Sequence, residues 1–364
     1  MAKTPVVTGL RTRVANVPLR RALPVGGTDI THLMLVLIDV DTDAEVTGHA
    51  YLHTFVPSTA PPLRALLQAM GDTAKGRPLA PAALHEALLR QYGLWLGMEG
   101  LVLSALGGID MACWDAFAKV QDLPLARLLG GDLMPLPVYC TSAAGIGDPE
   151  LRRDEAAEIV AAGYAGMKIR LGHETIAQDL VSVRAVRNAL PDRMALMVDY
   201  TQALTADEAI ARGKALEGEG LTWLEDPIPY NDLAGHVRIA RELTLPVMTG
   251  ENFYGPSALA TAVRAQACDL TMIDLQHIGG VTNWLRAATL ADAAQVRVSS
   301  HLYPDISAHM LALTPTRHWL EHVDWADPIL AQPGRVTNGS FIAGAQAGSG
   351  IAWHPDLARH LAPA

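Results

Sequence analysis

The sequence has little of what several protein classes require. Its three cysteines, Cys113, Cys140 and Cys268, are widely spaced and form no CxxC pair, which argues against a disulfide framework or a zinc knuckle. There is no long basic run and the net charge is −10, so we expect no nucleic-acid partner. The first residues, MAKTPVVTGLRTRV, lack the continuous apolar core of a secretory signal. No apolar run approaches the roughly 18 residues of a membrane span. We therefore expect a cytoplasmic protein without a membrane partner.

Residues 1–130 show no repeating pattern of elements. The sequence predicts two strands around an acidic turn and then three helical stretches, and half of all residues are hydrophobic, which is enough for a sizeable core. Asp110 and Asp115 lie in the last helical stretch, where we interpret them as helix-face or capping acids. The predicted strands are 33–41 and 45–53, and the predicted helices are 61–76, 81–96 and 100–120.

A regular alternation of short strands and helices begins at about residue 131. Eight strands that alternate with helices predict an α/β fold, a parallel (β/α) TIM-type barrel over residues 131–326, in which the last helix is the least certain. Residues 327–364 read as loops and short strands that return to the N-terminal part. The predicted strands are LPVYCT (136–141), GMKIRL (166–171), ALMVDYT (195–201), LTWLEDP (221–227), LPVMTGEN (245–252), LTMIDLQ (270–276), VRVSSH (296–301) and HWLEHVD (318–324).

Ionisable residues stand at the ends of these strands, where barrel active sites lie. Asp199, Glu225 and Glu251 follow one another at intervals of 26 residues, so consecutive strands bring three carboxylates to one point. Converging carboxylates repel one another, and an all-oxygen set suits Mg²⁺. The sequence therefore predicts one Mg²⁺ per subunit.

Further charged groups surround this predicted metal site. Asp274 on the sixth strand can hold the imidazole of His301 on the seventh, which makes His301 a candidate general base. Lys168 and Arg170 lie two apart on the second strand and so share a face, where a substrate carboxylate would balance their charge. Glu321 on the eighth strand, if protonated, could donate a hydrogen bond to the enediolate formed by removal of an α-proton.

Seven stretches, in the same order along the chain, resemble the enolase superfamily and within it the mandelate racemase subgroup (the mandelate racemase/muconate lactonizing enzyme family). The resemblance implies that residues 1–130 and the chain end form an α+β capping domain, with a lid loop at 20–32. It also implies Mg²⁺ ligation by Asp199, Glu225 and Glu251, a catalytic His301–Asp274 pair and a homo-oligomer. The stretches are GIDMACWDA, MVDYTQALT, WLEDPI, TGENFYGP, DLQHIGGVTNW, SSHLYPDISAH and TPTRHWLE.

The departures from the family pattern bear on the reaction. Lys168 matches the first Lys of the family's Lys-x-Lys, but the second, the usual base for one face of the substrate, is Arg170, which is not deprotonated in proteins. Thr141 and Phe55 stand where mandelate racemase has Ser and a pocket Tyr, so we expect both to contact substrate. In the lid, Gly26 and Gly27 are candidate hinges. Arg20 and Arg21 either hold the distal end of the substrate or are solvated surface groups.

Two outcomes of α-proton abstraction stay open at this point. Dehydration of a hydroxy or sugar acid to a 2-keto acid needs one good base, which suits Arg170 and is our main prediction. Racemisation of a 2-hydroxy acid needs a base on each face, and Lys168 serves only if Arg170 lowers its pKa. A non-catalytic barrel that binds acids is a further alternative. HWLEH (318–322) matches the pattern of inverted zinc peptidases, but its position in a strand disfavours that class.

Overall fold

A three-stranded antiparallel sheet opens the chain. The computed structural model describes residues 4–25, 28–147 and 149–362. The strands are β1 (Val7–Val25), β2 (Thr28–Thr42) and β3 (Thr47–Thr54), in the order β1-β2-β3. The apolar run Leu33–Ile38 of β2 lies at the centre of this sheet and is almost entirely buried.

The segment expected to be a lid loop is largely strand. Residues 20–25 continue β1 and residues 28–32 belong to β2, with Leu23 opposite Ile30 across a register shift that begins at Pro18. Arginine, glycine and proline in this segment favour a loop locally, but pairing along the ribbon prevails over that preference. Gly26 and Gly27 lie outside the described residues.

Helix α4 (Gly100–Val120) is the core helix of the N-terminal part. By length and composition alone, this helix is long and apolar enough to cross a membrane. Its most apolar window is 78% buried within the protein, which is typical of a core helix. Asp110 accepts hydrogen bonds from Thr282, and Asp115 accepts them from the backbone N–H groups of His49 and Ser349. Both acids therefore connect this helix to other segments of the chain. The helices here are α1 (Ala60–Ala74), α2 (Pro81–Leu88), α3 (Leu94–Leu96), α4 (Gly100–Val120) and α5 (Leu125–Leu128).

All eight predicted barrel strands are present. Seven form a continuous parallel series, and the eighth pairs with the first and with residues of the seventh, which closes the barrel. Inward side chains of four strands, among them Tyr139 and Met197, fill its interior together with Trp223, which directly precedes a fifth strand. The strands are β4 (Leu136–Thr141), β5 (Gly166–Arg170), β6 (Ala195–Asp199), β7 (Leu224–Glu225), β8 (Val247–Thr249), β9 (Leu270–Asp274), β10 (Arg297–His301) and β11 (Leu320–His322).

Helices follow the first seven barrel strands but not the eighth. After β11 the described residues form only short 3-10 turns, at Asp327–Ile329 and Leu357–His360, and a small hairpin. Near the chain end, the backbone N–H of Ala362 donates to the carbonyl of Val14 in β1. The barrel helices are α6 (Pro149–Ala161), α7 (Ile176–Ala189), α8 (Ala206–Leu216), α9 (Leu233–Glu242), α10 (Gly255–Ala265), α11 (Leu275–Ile278), α12 (Val281–Ala293) and α13 (Pro304–Leu313), and the hairpin is β12 (Val336–Thr337) with β13 (Ser340–Phe341).

Candidate active site

The barrel brings the predicted catalytic and metal-binding residues to one end. Arg170, Asp199 and Glu225 are direct register neighbours across β5, β6 and β7, and His301 is the neighbour of Asp274 across β10 and β9. Each is the last residue of its strand, so all five meet at the carboxyl edge of the barrel.

The acids assigned to metal binding destabilise one another. Burial, together with the charge of Glu251, raises the pKa of Asp199 against the opposing effect of Lys168. Burial, with Asp199 and Glu321, raises the pKa of Glu225 to about 7, again against Lys168. Removing this repulsion requires a proton or a cation, and the all-oxygen donor set matches a hard divalent ion. The donor chemistry of the three side chains thus suits Mg²⁺.

Basic side chains of the chain itself engage two of these acids. Lys168 pairs with Glu225, and Nε2 of His301 lies 3.1 Å from Oε2 of Glu251. In this arrangement no group of three His, Cys, Asp or Glu side chains within the described residues is placed to hold an ion. Cation binding by Glu225 and Glu251 therefore competes with Lys168 and His301.

Lys168 is held between two glutamates rather than left open for substrate. Its Nζ pairs with Glu225, lies 3.1 Å from Oε1 of Glu321, and is 5.6 Å from the centre of the Tyr139 ring. Burial lowers its pKa, but Glu225 and Glu321 outweigh that effect and raise the pKa well above its ordinary value. The two glutamates, rather than Arg170, set the direction of this shift.

Arg170, unlike Lys168, has N–H donors that are available to a ligand. Its Nε and Nη1 are buried and find no hydrogen-bond acceptor in the described part of the chain. Its positive charge opposes the rise in the pKa of Asp199 without reversing it. Buried guanidinium donors without acceptors favour an anionic or oxygen-rich ligand.

A second arginine, Arg152, hydrogen-bonds to the backbone of Arg170 and holds it in place. The fully buried Arg152 of α6 donates from Nη2 to the carbonyl of Arg170 and to that of Gly145. Its Nε also donates to Gly145 at 3.1 Å. One guanidinium therefore joins the end of β5 to the loop that follows β4.

His301 and Asp274 form the expected pair. Nδ1 of His301 lies 2.8 Å from Oδ2 of Asp274, and the other carboxylate oxygen accepts the backbone N–H of His277 at 2.8 Å. Burial lowers the pKa of His301, but Glu251, Asp274 and Glu321 together raise it to about 10. The imidazole is oriented with Nδ1 toward Asp274 and Nε2 toward the cluster of acids.

The surroundings of Glu321 favour its ionised carboxylate, whereas the sequence analysis considers a protonated acid at this position. Burial raises its pKa, but Lys168, His301 and hydrogen bonds from Thr141 and the Leu302 N–H lower it to about 2. As a carboxylate it accepts hydrogen bonds and donates none. The hydroxyl of Thr141, which the sequence predicts to contact substrate, donates a hydrogen bond to Glu321.

An aromatic cluster that sequence reasoning missed surrounds Phe55. The Phe55 ring lies 5.9 Å from the rings of His53 and Trp325, and the His53 ring lies 4.7 Å from that of Tyr303. His53 is buried, and its Nδ1 has no partner among the described residues. The signal in the sequence is the two-residue spacing between His53, in β3, and Phe55, directly after the end of that strand. Phe55 is 37% exposed, so this cluster reaches the surface.

Arg20 and Arg21 are ion-paired. Nη1 of Arg20 lies 3.4 Å from Oδ2 of Asp324, and Nη2 of Arg21 lies 2.7 Å from Oε1 of Glu158. These pairs link the ribbon of β1 and β2 to the segment after β11 and to α6. A contact of either arginine with substrate stays a prediction.

The HWLEH segment does not form a peptidase site. Residues 320–322 are the buried strand β11 rather than a helix. The ring of His318 lies 5.8 Å from that of Trp223, while Nδ1 of His322 lies 2.9 Å from the hydroxyl of Tyr164. Each histidine thus has its own packing partner.

Comparison with known proteins identifies two matching family models. Residues 8–130 match the model "Mandelate racemase / muconate lactonizing enzyme, N-terminal domain", and residues 152–357 match "Enolase C-terminal domain-like". Together these models cover most of the chain, with both parts in the order that the sequence motifs suggested.

Individual relatives differ in their activities. L-talarate/galactarate dehydratase of Salmonella typhimurium is 31% identical over 68% of this chain, and the match spans 62% of that enzyme, less than two thirds. 3,6-anhydro-alpha-L-galactonate cycloisomerase of Streptomyces coelicolor is 31% identical over 95% of this chain and 96% of its own length.

A solved structure gives a full-length match. The enolase from Bradyrhizobium, complexed with magnesium and mandelic acid, is 37% identical, covers 100% of both chains and superposes with a TM-score of 0.95. The chain therefore belongs to the mandelate racemase/muconate lactonizing enzyme family of the enolase superfamily.

Proposed function

We propose that this protein abstracts the proton α to a carboxylate in a Mg²⁺-dependent reaction and dehydrates a hydroxy or sugar acid to a 2-keto acid. The observation that carries the proposal is the asymmetry of the site. An oriented His301–Asp274 pair stands at the ends of β10 and β9, and an arginine stands at the end of β5. One face of a bound acid thus meets a base and the other meets a permanent cation.

Asp199, Glu225 and Glu251 would hold the Mg²⁺, whose positive charge stabilises negative charge on a substrate carboxylate. The pKa of about 10 that Glu251, Asp274 and Glu321 give His301 would fall once a cation takes up the charge of Glu251. The neutral imidazole would then take the α-proton on Nε2, while Asp274 keeps Nδ1 protonated and stabilises the imidazolium. The electron pair of the broken C–H bond moves into the carboxylate and gives an enediolate. Arg170 supplies unpartnered N–H donors to oxygens of the substrate.

The second half of the reaction expels the β-hydroxyl. Electrons return from the enediolate to form the C–C double bond of an enol as the C–O bond breaks. The proton on His301 goes to the departing hydroxide, so that water leaves and the base is regenerated. The enol then tautomerises to the 2-keto acid. Throughout, the negative charge of Glu321 and the positive charge of Lys168 compensate each other.

A screen of aldonic, aldaric and simple 2-hydroxy acids with Mg²⁺ in D₂O tests the proposal. We expect 2-keto acid to form from at least one of these acids, and both product formation and deuterium exchange to disappear in His301→Asn. Persistent exchange in that variant would refute the assignment of His301. Binding of acids without any exchange would point to a non-catalytic barrel.

A second candidate, racemisation of a 2-hydroxy acid, is favoured by one observation, the mandelic acid in the Bradyrhizobium structure. Against it stand Arg170, which is a poor base, and Lys168, whose pKa is raised. Optical inversion without 2-keto acid would favour this candidate. The variant Arg170→Lys is the complementary test, and we expect it to add exchange from the opposite face.

The family resemblance supports three further parts of the proposal. We place the protein in the cytoplasm and expect it to act as a homo-oligomer on a small-molecule carboxylate. We also retain the division into a capping domain (1–130, with the lid at 20–32), a barrel (131–326) and a returning segment (327–364). In this division Arg20, Arg21 and Phe55 stand on the capping side of the substrate.

A further inference from the structure

A dense apolar surface lies between α2 and α4, far in sequence from the catalytic residues. We call it the Trp95 face and define it as Leu94, Trp95, Leu96 and Met98, whose exposed fractions are 74%, 83%, 60% and 48%. A tryptophan side chain alone contributes on the order of 200 Å² of surface. Contiguous exposed apolar patches of several hundred Å² mark interaction sites in proteins.

The segment that carries the Trp95 face has a defined shape. It begins with a π-helical turn at Leu89–Gly93 and ends at Gly97, whose φ is +81°. Met98 folds back over Gly93 so closely that a Cβ at this glycine would lie 2.9 Å from Cγ of Met98. Single π-helical turns occur frequently at functional sites. The apolar side chains are therefore presented on a preformed backbone.

Opposite charges flank the Trp95 face. Arg90 precedes it and Glu99 follows it, both are exposed, and neither forms an ion pair within the chain as described. If two copies of this chain meet around a two-fold axis with the segments antiparallel, Arg90 of each copy faces Glu99 of the other. A two-fold interface requires such self-complementarity, because the same patch serves both partners.

We infer that the Trp95 face is a two-fold contact between copies of this chain, with Trp95 as its anchor. This deepens the proposed homo-oligomer, on which it rests, by naming the surface that meets the partner. A stable interface buries about 800 Å² per partner, which requires the apolar cluster together with its charged rim. Buried tryptophans are the residues that most often dominate such contacts.

The contact also reaches the barrel. Leu103, one turn into α4, packs against Gly255 and Gly279, which follow β8 and β9. Burial, Tyr230 and Asp274 raise the pKa of Tyr254, and the charge of Glu99 adds a smaller contribution in the same direction. A partner seated on the Trp95 face would therefore brace the segments that follow β8 and β9.

A lipid surface is an alternative occupant of the Trp95 face, and the negative charge of the chain disfavours it. Anionic membranes attract basic segments, whereas this chain carries a net charge of −10 and places Glu99 at the edge of the face. A second copy offers both an apolar face and an arginine for that glutamate.

Sedimentation velocity over a range of concentrations tests the inference with the full chain. We expect Trp95→Glu to weaken association by about 30-fold or more, the effect of losing one dominant interface residue. Val181→Glu, at another exposed apolar residue on α7, is the matched control and should assemble like the original chain. Circular dichroism checks that both variants are folded.

Charge reversal supplies the geometric test. Arg90→Glu and Glu99→Arg should each weaken association, and the double variant should restore it, because both two-fold pairs re-form with reversed sign. Failure of the double variant to recover would overturn the antiparallel arrangement.

The remaining outcomes separate this inference from the proposal beneath it. Assembly that is unaffected by Trp95→Glu overturns the inference and leaves the homo-oligomer standing. A monomeric original chain overturns both. Flotation of the original chain with phosphatidylcholine/phosphatidylglycerol vesicles, lost in Trp95→Glu, would assign the face to lipid and overturn the inference.

Discussion

Replacing Asp39 by asparagine should cost this protein a measurable and pH-dependent part of its stability. Asp39 is a buried carboxylate on β2 that joins three segments. It lies 2.8 Å from Nδ1 of His49 on β3, accepts Nε1 of Trp353 at 2.6 Å, and pairs with Arg13 of β1 at 2.7 Å. The N-terminal sheet and the returning chain end therefore meet at this side chain.

The magnitude follows from the pKa of Asp39. Burial raises that pKa, but His49, Trp353 and Arg13 outweigh burial and lower it from 3.8 to about 2. This difference corresponds to about 2.5 kcal/mol of stability. Because the folded-state pKa is depressed, the contribution is complete above the unfolded pKa near 4 and is lost as the pH falls towards 2. Linkage gives about half of it at pH 3.

The assay is urea unfolding followed by circular dichroism at pH 7, 4 and 3. We expect Asp39→Asn to lower the free energy of unfolding by about 2 kcal/mol at pH 7 and by clearly less at pH 3. Asp41→Asn is the matched control on the same face of β2. Its partner Arg11 is 59% exposed, so less than about 1 kcal/mol is expected. Equal losses in both variants, or a loss undiminished at pH 3, would refute the reasoning.

Three further predictions concern the site. Asp274→Asn should lower kcat for exchange by about 10³-fold or more with little change in KM, since the imidazole loses the carboxylate that orients it; steady-state kinetics checks this, and a pure KM effect would contradict it. Thr141→Val should raise the pKa of Glu321, because the hydrogen bond that lowers this pKa is lost, and should reduce kcat by about tenfold. A pH–rate profile checks this, and its acid limb should shift to higher pH. Removal of divalent ions with EDTA should abolish exchange, and added Mg²⁺ should restore it and raise the melting temperature; full activity in EDTA would exclude the metal proposal.

The sequence predicted those parts of the site that are set by one strand at a time. The 26-residue spacing of Asp199, Glu225 and Glu251 reports one strand–helix unit each, so it predicts all three acids at the carboxyl ends of consecutive strands. Asp199 and Glu225 are register neighbours, whereas Met248 is opposite Glu225 and Glu251 lies two residues beyond the end of β8. His301 and Asp274 were predictable for the same reason. Long, strongly patterned helices such as α4 were predictable because their periodicity is local.

What the sequence could not predict depends on contacts between distant strands. Lys168 meets Glu225 and Glu321 across the barrel, and this triad fixes the ionisation of Glu321 and the high pKa of Lys168. No single-strand pattern contains that information. The extended ribbon of β1 and β2 was missed because Arg20 and Arg21 lie in a locally loop-like sequence whose strand conformation comes from pairing.

The hold of Arg152 on Arg170 has a consequence for how this site can diversify. Arg152 donates its hydrogen bond to the main-chain carbonyl of Arg170 rather than to the Arg170 side chain. The peptide at this position is therefore anchored independently of what projects from it. One codon change can exchange a fixed cation for a titratable amine, or the reverse, while the scaffold beneath stays in place. Position 170 is thus a point at which the barrel can trade one chemical outcome for another in a single evolutionary step.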